Sequence, residues 1–306
     1  MDKFQKYRRE CQALPKGYYH LCTDGWKDGL LFHNENQFSA GVTSIALMAL
    51  KLNITIYGYV LMPNHVHILL SGTGADAVKA FNLLVRRIDF VLNKDHHPPL
   101  PQDYWFKLIP IESPESLRAH YLYLARNPYE KGYCIPGGYP WGSDYLMFSN
   151  LAEHIIGEPI KNLKKSFVSR LTCYREPLPD HWEIHPVYGI LPRSFVNTEK
   201  VYELFDSPKA YLSRMVKDYE KFIHIAGNLD DPLNLENSEV EDIIQNEVQR
   251  CYPGKSLKVL DPKEKYQLAA LLHQKFGLTA EQLCHPLRLS EYSVRQAFNA
   301  KEFRRY

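Results

Sequence analysis

Residues 61–70, LMPNHVHILL, constrain the fold of this chain more than any other stretch. Their apolar residues predict a buried strand, with Pro63 near its start, where the ladder needs no N–H donor. Side chains two apart in a strand share a face, so His65 and His67 should project together, with Val66 pointing into a core. Two neighbouring imidazoles can hold one divalent cation. The alternative is an incidental pair, because a chain with 13 histidines contains an H-x-H by chance at about even odds.

A helix predicted over residues 114–127 carries the second group of candidate residues. Ser113 is its expected N-cap, and Pro128 is expected to end it. Tyr123 and Asn127 are four residues apart and therefore lie on one face, one turn from each other. If that face meets the two imidazoles, Asn127 would complete a three-ligand metal site and Tyr123 would be the nucleophile. The alternative is that Tyr123 only packs, as one of 21 tyrosines in the chain.

Three segments, in this order along the chain, resemble the REP-associated tyrosine transposases. They are GYVLMPNHVH at 58–67, YLARNPYEKG at 123–132 and YPWGS at 139–143. These transposases are single-tyrosine HUH nucleases, in which U is a hydrophobic residue, here Val66. The resemblance covers roughly residues 15 to 150. It implies a ferredoxin-like fold with His65 and His67 on a central strand and the tyrosine helix alongside.

The resemblance also implies a reaction, which is phosphoryl transfer on single-stranded or hairpin DNA. Tyr123 would attack phosphorus to give a 5′-phosphotyrosine, and a free 3′ hydroxyl would leave. A divalent metal, Mg²⁺ or Mn²⁺, held by His65, His67 and Asn127, would polarise a phosphate oxygen. Five basic residues are candidate phosphate contacts, each of them alternatively an ordinary surface charge: Arg86, Arg87, Arg118, Arg126 and Lys131.

The order of predicted elements indicates the α+β class. Strands and helices alternate as strand–helix–strand–strand–helix–strand, the split βαβ or ferredoxin-like pattern of an antiparallel sheet with helices. The predicted ranges are 18–23, 37–51, 53–61, 65–71, 75–94 and 105–111. We therefore expect a catalytic domain over residues 1–150.

The remainder of the chain is predicted as a Pro-rich linker at 151–195 and a helical region at 196–306. Residues 263–301 have the helix–turn–helix–turn–helix pattern of a DNA-binding motif, with Tyr292, Ser293, Arg295 and Gln296 facing DNA. Residues 201–254 carry a net charge of −6 (5 Lys/Arg, 11 Asp/Glu), whereas residues 255–306 carry +5 (10 and 5). A basic end suits nucleic acid, although a plain helical packing module with a solvated surface is the alternative.

Composition narrows the class of protein further. The chain has no run of eighteen apolar residues, so we predict no membrane span. Its first residues lack the apolar core of a secretory signal. Six cysteines, scattered singly, suit a reducing cytoplasm. Besides the transposase, three readings stay open: another HUH-class replication or mobilisation nuclease, a catalytically silent DNA-binding protein, and an unrelated metal hydrolase. The sequence also leaves open whether the active site forms within one chain or across a homodimer.

Overall fold

The structure, a computed structural model, describes most of the chain. The described residues are 3–23, 25, 29–135, 137–149, 154–217, 225, 226, 229, 237–276 and 278–299. The chain divides into two compact units, Met1–Lys217 and Asp218–Tyr306, which are taken separately below. Residues 277, 300 and 301 of the predicted DNA-binding motif lie outside the described part.

The first unit is built on a four-stranded antiparallel sheet. Its strands are β1 (Gly17–Thr23), β2 (Thr55–Leu61), β3 (Val66–Gly72) and β4 (Phe106–Ile111), in the spatial order β2-β3-β1-β4. Helix α1 (Lys3–Gln12) precedes the sheet, α2 (Glu35–Lys51) connects β1 to β2, α3 (Gly74–Lys94) connects β3 to β4, and α4 (Pro114–Glu130) follows β4. The predicted α+β class and the predicted order of elements are confirmed.

The stretch around Pro63 forms a tight connection between two strands. Strand β2 ends at Leu61 and β3 begins at Val66, so His65 lies immediately before β3 instead of inside it. The Met62 N–H donates to the His65 carbonyl at 2.9 Å, which closes the hairpin. Pro63 has no N–H to give a ladder, and its carbonyl accepts from the Leu31 N–H at 2.7 Å.

The two faces of this sheet carry different helices. Leu61 pairs with Val66, and a Cβ built on Gly41 of α2 would lie 2.9 Å from Leu61 Cδ1, so α2 packs on the Val66 face. Helix α3 packs on that face too, through Phe81 against Phe106 (ring centroids 4.5 Å). The opposite face, which carries the His67 side chain, is covered by α4.

Helix α4 has the predicted N-terminus and a later end. The Ser113 hydroxyl caps it by accepting from the Ser116 N–H at 3.1 Å. The prediction that Pro128 ends the helix is wrong, because Pro128 lies inside it and the helix continues to Glu130. Proline removes only its own N–H bond, and the Lys131 N–H restores the pattern one turn later by donating to the Asn127 carbonyl at 3.2 Å.

The Pro-rich segment, predicted as a linker, is ordered and belongs to the first unit. It contains β5 (Glu158–Pro159), α6 (Lys165–Thr172), β6 (Glu183–His185) and β7 (Gly189–Ile190), and the three strands form an antiparallel sheet. Apolar residues between the prolines build a core with Ala46 and Leu47 of α2, which explains the order. They are Ile160, Val168, Leu178, Trp182, Ile184 and Ile190. Pro159 lies in the edge strand β5, where a missing N–H is tolerated.

Three further helices complete the first unit: α5 (Tyr145–Phe148), α7 (Thr198–Glu203) and α8 (Pro208–Lys217). Helix α8 packs on α4, so residues that composition assigned to the C-terminal region belong with the sheet. The second unit contains α9 (Asn237–Cys251), α10 (Pro262–Phe276), α11 (Ala280–Leu287) and α12 (Glu291–Asn299). Across the described residues of both units, every helix is too short or too polar to span a bilayer.

Candidate active site

A row of imidazoles lies on the face of the sheet that α4 covers. The register pairs Cys22 of β1 with His67 of β3, so His20, two residues from Cys22, projects from the same face as His67. His20 Nε2 lies 3.1 Å from His67 Nδ1, and His20 Nδ1 lies 2.8 Å from His120 Nδ1 on α4. The three rings therefore form one hydrogen-bonded chain from the helix to the sheet.

His65 completes the predicted pair. Its ring centroid lies 4.8 Å from that of His67, with the two rings nearly perpendicular. The His65 Nδ1 lies 2.8 Å from Asn64 Oδ1, which fixes the ring orientation. The structure thus brings the two histidines side by side, as their spacing predicts.

Helix α4 directs Tyr123 onto this row. The Tyr123 ring lies edge-on to His67 and to His20, at centroid distances of 5.3 and 5.7 Å. One turn later, the Asn127 amide Nδ2 donates to the Tyr123 hydroxyl at 3.3 Å. Tyr123 therefore meets His67 within one chain, and Asn127 reaches the Tyr123 hydroxyl.

Tyr121 lies on a different side of the same helix. Its hydroxyl approaches Met147 Sδ at 3.7 Å, and its ring packs between Phe205 and Tyr211 at centroid distances of 5.7 and 6.2 Å. Two residues correspond to about 200° around a helix axis, which accounts for the separation. Tyr121 is therefore part of an aromatic core, whereas Tyr123 faces the imidazoles.

The cluster is buried throughout. His20, His67 and Tyr123 are each 0% exposed, and His65 and His120 only 6% and 5%. Burial lowers the pKa of His67 well below its ordinary value, with smaller contributions from the charges of His65, Lys131 and His120. His67 is thus neutral at physiological pH, the form in which an imidazole binds metal.

A metal would have to use an amide ligand here. Among the described residues, no three His, Cys, Asp or Glu side chains are arranged to hold an ion, because His20, His67 and His120 are strung in a chain instead of converging. The set His65, His67 and Asn127 has two imidazoles and one amide oxygen. Imidazoles bound to one ion at about 2.1 Å have ring centres roughly 5 Å apart, and the observed 4.8 Å fits.

Two of the predicted phosphate contacts in the first unit, Arg126 and Arg87, bind other groups of the protein. The prediction for Arg126 is wrong, because it is 3% exposed, forms an ion pair with Glu130, and donates to the Met215 carbonyl at 3.3 Å. That for Arg87 is also wrong, since its guanidinium is half-buried and joins Ser44 Oγ (2.9 Å) to the Thr172 carbonyl (2.8 Å). Arg118 is half-buried on α4.

Arg86 and Lys131 were also predicted as phosphate contacts. Arg86 is exposed on α3. Lys131 caps the C-terminal end of α4, and its charge acts on His67, which places it near the cluster. Its role as a phosphate contact stays a prediction.

Two members of the row were not assigned to the site from sequence. They are His20 on β1 and His120 on α4. His120 lies three residues before Tyr123, which puts it within about 60° of Tyr123 around the helix, so helical spacing was an available signal. For His20 the signal is the register of β1 against β3, which the sequence does not contain.

In the second unit, Arg295 lies on an exposed face of α12. Tyr292 is 73% exposed, and Arg295 and Gln296 are exposed beside it, while Val294 and Ala297 are buried. Arg295 forms an ion pair with Glu291 at 2.6 Å. Three of the four residues predicted to face outward are thus exposed, whereas Ser293 is half-buried.

No protein-family model matches the chain, and none of the curated proteins matches it. Among solved structures, the chain is similar to a REP-associated tyrosine transposase bound to a REP hairpin. The match covers 45% of this chain and 82% of that one, with 15% sequence identity and a TM-score of 0.38. Likeness this distant says nothing about shared chemistry, which has to come from the side chains.

Proposed function

We propose that the protein is a metal-dependent single-stranded DNA endonuclease and strand transferase that acts through a phosphotyrosine on Tyr123. The observation that carries the proposal is the packing of Tyr123 against His67, with His65 beside His67 and Asn127 at the Tyr123 hydroxyl, while Tyr121 on the same helix points into a core. The segments at 58–67, 123–132 and 139–143 add the sequence resemblance to REP-associated tyrosine transposases. Hairpin or palindromic repeat DNA is the substrate that this resemblance favours.

The split βαβ, ferredoxin-like arrangement is part of the same proposal. It is supported by the sheet order β2-β3-β1-β4 and by the placement of α2 and α3 on one face. The cytoplasm is the proposed compartment, because the cysteines are scattered singly.

In the proposed reaction, the Tyr123 oxygen attacks the scissile phosphorus, a bond forms between them, and the bond to the 3′ oxygen breaks. The Tyr123 hydroxyl gives up its proton and the leaving 3′ oxygen takes one up, and the phosphotyrosine conserves the energy of the ester for a later strand transfer. The Asn127 amide donates to the Tyr123 hydroxyl at 3.3 Å and so orients the attacking oxygen within the cluster. His65, His67 and Asn127 would hold Mg²⁺ or Mn²⁺, which supplies Lewis-acid polarisation of a phosphate oxygen.

Burial sets a requirement on this reaction. Because Tyr123 is 0% exposed, a phosphate reaches it only after side chains over the cluster move aside. Lys131, at the end of α4, is placed to attract the DNA backbone to that point. Two alternatives keep the fold. A catalytically silent DNA-binding protein would form no adduct, whereas another HUH-class nuclease would form one with a different DNA substrate.

The test is the trapping of a covalent adduct with a hairpin oligonucleotide and Mn²⁺ on a denaturing gel. The wild-type chain should give the adduct, and excess chelator should prevent it. Tyr123→Phe should give none while still binding DNA, because one oxygen is lost with little change in packing. Tyr121→Phe is the matched control on the same helix and should keep the adduct.

Three results would overturn the assignment. An adduct that maps to Tyr121, or one that survives Tyr123→Phe, would show the nucleophile to be another residue. An adduct that forms in excess chelator would remove the metal. Absence of any adduct in the wild-type chain, with hairpin binding intact, would favour the silent DNA-binding protein.

A second function is proposed for the C-terminal unit, which would bind duplex DNA through α12. Helix α12 packs on α10 and α11, with His273 and Phe298 stacked at 3.8 Å, and it turns Tyr292, Arg295 and Gln296 outward. Arg288, exposed in the turn before α12, adds a charge at the end that enters the major groove in helix-turn-helix proteins. A helical packing module is the alternative.

A further inference from the structure

The buried chain of imidazoles contains two residues, His20 and His120, to which the proposed reaction gives no part. Both are at most 5% exposed, and a buried imidazole is costly unless its ring nitrogens find partners. His20 uses both of its nitrogens on other imidazoles, Nδ1 on His120 and Nε2 on His67. The ring nitrogen of His20 that carries the proton therefore decides which of its two neighbours, His67 or His120, must donate to it.

A neutral imidazole has one N–H and one lone pair, so the chain can run in only two directions. In the first, His67 Nδ1–H donates to His20 Nε2, and His20 Nδ1–H donates to His120 Nδ1. In the second, both bonds are reversed, and His67 accepts at Nδ1. The first direction leaves His67 Nε2 with a lone pair, whereas the second puts a proton on it.

The direction matters for the proposed metal site, on which this inference rests. His67 Nδ1 is engaged by His20, so an ion would bind at Nε2, and binding there needs the lone pair. A histidine that holds a metal commonly donates its other N–H to a fixed acceptor, which orients the ring and sets the tautomer. His20 Nε2 at 3.1 Å is that acceptor in this geometry.

We propose that His20 is a positioning residue that holds His67 in the Nδ1–H tautomer, and that His120 supports it by accepting from His20. The Cys22 thiol donates to the Thr23 carbonyl at 3.2 Å, so its sulfur, 3.9 Å from His67 Nε2, is a competing but weak acceptor that would favour the Nε2–H form. No change in protonation state is involved. The role of His20 is to select one of two neutral forms.

The first measurement is the ring tautomer of His67 in the metal-free full chain, by ¹⁵N NMR of histidine-labelled protein. The wild-type chain should show a protonated Nδ1 and an unprotonated Nε2. His20→Phe, which keeps an aromatic ring but removes the acceptor, should shift His67 toward the Nε2–H form. A wild-type His67 found in the Nε2–H form would overturn the proposal without any variant.

The second measurement is the affinity for Mn²⁺ by calorimetry, since loss of such an outer partner typically weakens metal binding about 10- to 100-fold. His20→Phe should show a weakening in that range. His20→Gln, whose side-chain oxygen can still accept from His67 Nδ1–H, should stay within about threefold of the wild type. Unchanged affinity in a folded His20→Phe chain would overturn the proposal, as would equal losses in both variants.

The outcome is separable from the proposed function. A wild-type chain that forms the phosphotyrosine adduct but keeps His67 as Nε2–H would refute the inference alone. A chain that gives neither adduct nor Mn²⁺ binding, yet shows the Nδ1–H form lost in His20→Phe, would refute the proposed function and leave the positioning role of His20 standing.

Discussion

At the scale of single residues, Asp144 places a carboxyl group inside the first unit. It is 5% exposed, and its Oδ2 accepts from the Tyr211 hydroxyl at 2.8 Å. Burial raises the pKa of this group from an ordinary value of 3.8 to about 6, against the lowering effect of the Tyr211 bond. The folded chain therefore keeps a proton on Asp144 at pH values where the unfolded chain has lost it.

This difference predicts a pH-dependent stability. Between about pH 4 and pH 6 the folded state binds more protons, so the free energy of unfolding should fall as the pH rises, by on the order of 3 kcal/mol. Asp144→Asn can still accept from Tyr211 and should lose this dependence. Urea unfolding of both chains from pH 4 to pH 8 measures it, with Asp103→Asn, an exposed carboxyl group, as the control. If the difference in the free energy of unfolding between the wild type and Asp144→Asn does not change across this pH range, the raised pKa of Asp144 is contradicted.

The candidate site was partly predictable at this scale. A period of two placed His65 beside His67, and a spacing of four placed Asn127 at Tyr123, because both are local properties of a strand and a helix. The partnership of His20 with His67 depends on strand pairing across 47 residues of sequence, which no local pattern encodes. Arg126 had a local signal of its ion pair, since Glu130 follows it by four residues, but nothing local in the sequence indicated its burial.

At the scale of elements, Gly58 marks the closest approach of β2 to α4. A Cβ built there would lie 2.8 Å from Tyr121 Cε2. The Tyr121 ring is 1% exposed and is enclosed by Phe205 and Tyr211, so it has little room to move away. The packing of the tyrosine helix on the sheet therefore depends on a missing side chain.

Gly58→Ala should destabilise the fold by about 1–3 kcal/mol, the usual cost of overpacking a dense core. Gly17→Ala is the matched control in β1, because the nearest atom to its new Cβ would be Tyr19 Oη at 3.6 Å, an ordinary contact. The midpoints of urea unfolding compare the two. Equal midpoints would show that Tyr121 and α4 adjust freely.

Elements were predictable where they are long. The helices and strands of the central sheet have enough residues for a period to show, and their predicted bounds differ from the observed ones by at most two residues, apart from the end of α4, which differs by three. Strands β5 and β7 have two residues each, too few for any period, and prolines between them favoured a linker. The order of that segment comes from contacts with α2, a tertiary effect.

At the scale of the whole molecule, the arrangement of the site predicts that one chain suffices. Tyr123 lies against His67 of its own chain, with ring centroids 5.3 Å apart. An equal mixture of Tyr123→Phe and His65→Ala chains should therefore give no adduct, since neither variant has a complete site. Restoration of the adduct on mixing, absent from each variant alone, would show instead that a homodimer shares its tyrosine helices.

The C-terminal unit carries the last prediction, which concerns duplex DNA. Each phosphate neutralised by a basic side chain on duplex DNA releases counterions and adds about 0.9 to the slope of log affinity against log salt. If α12 binds the duplex, replacing Arg288 and Arg295 with Gln in the full chain should weaken binding and reduce that slope by about 2. The matched control replaces Lys255 and Lys258 with Gln, which removes the same charge from another exposed stretch of the unit. Lys255 is ion-paired with Glu264, as Arg295 is with Glu291. Fluorescence anisotropy at several salt concentrations measures both. If the two double variants lose affinity and slope equally, the unit attracts DNA by net charge alone, and if neither loses any, α12 only packs.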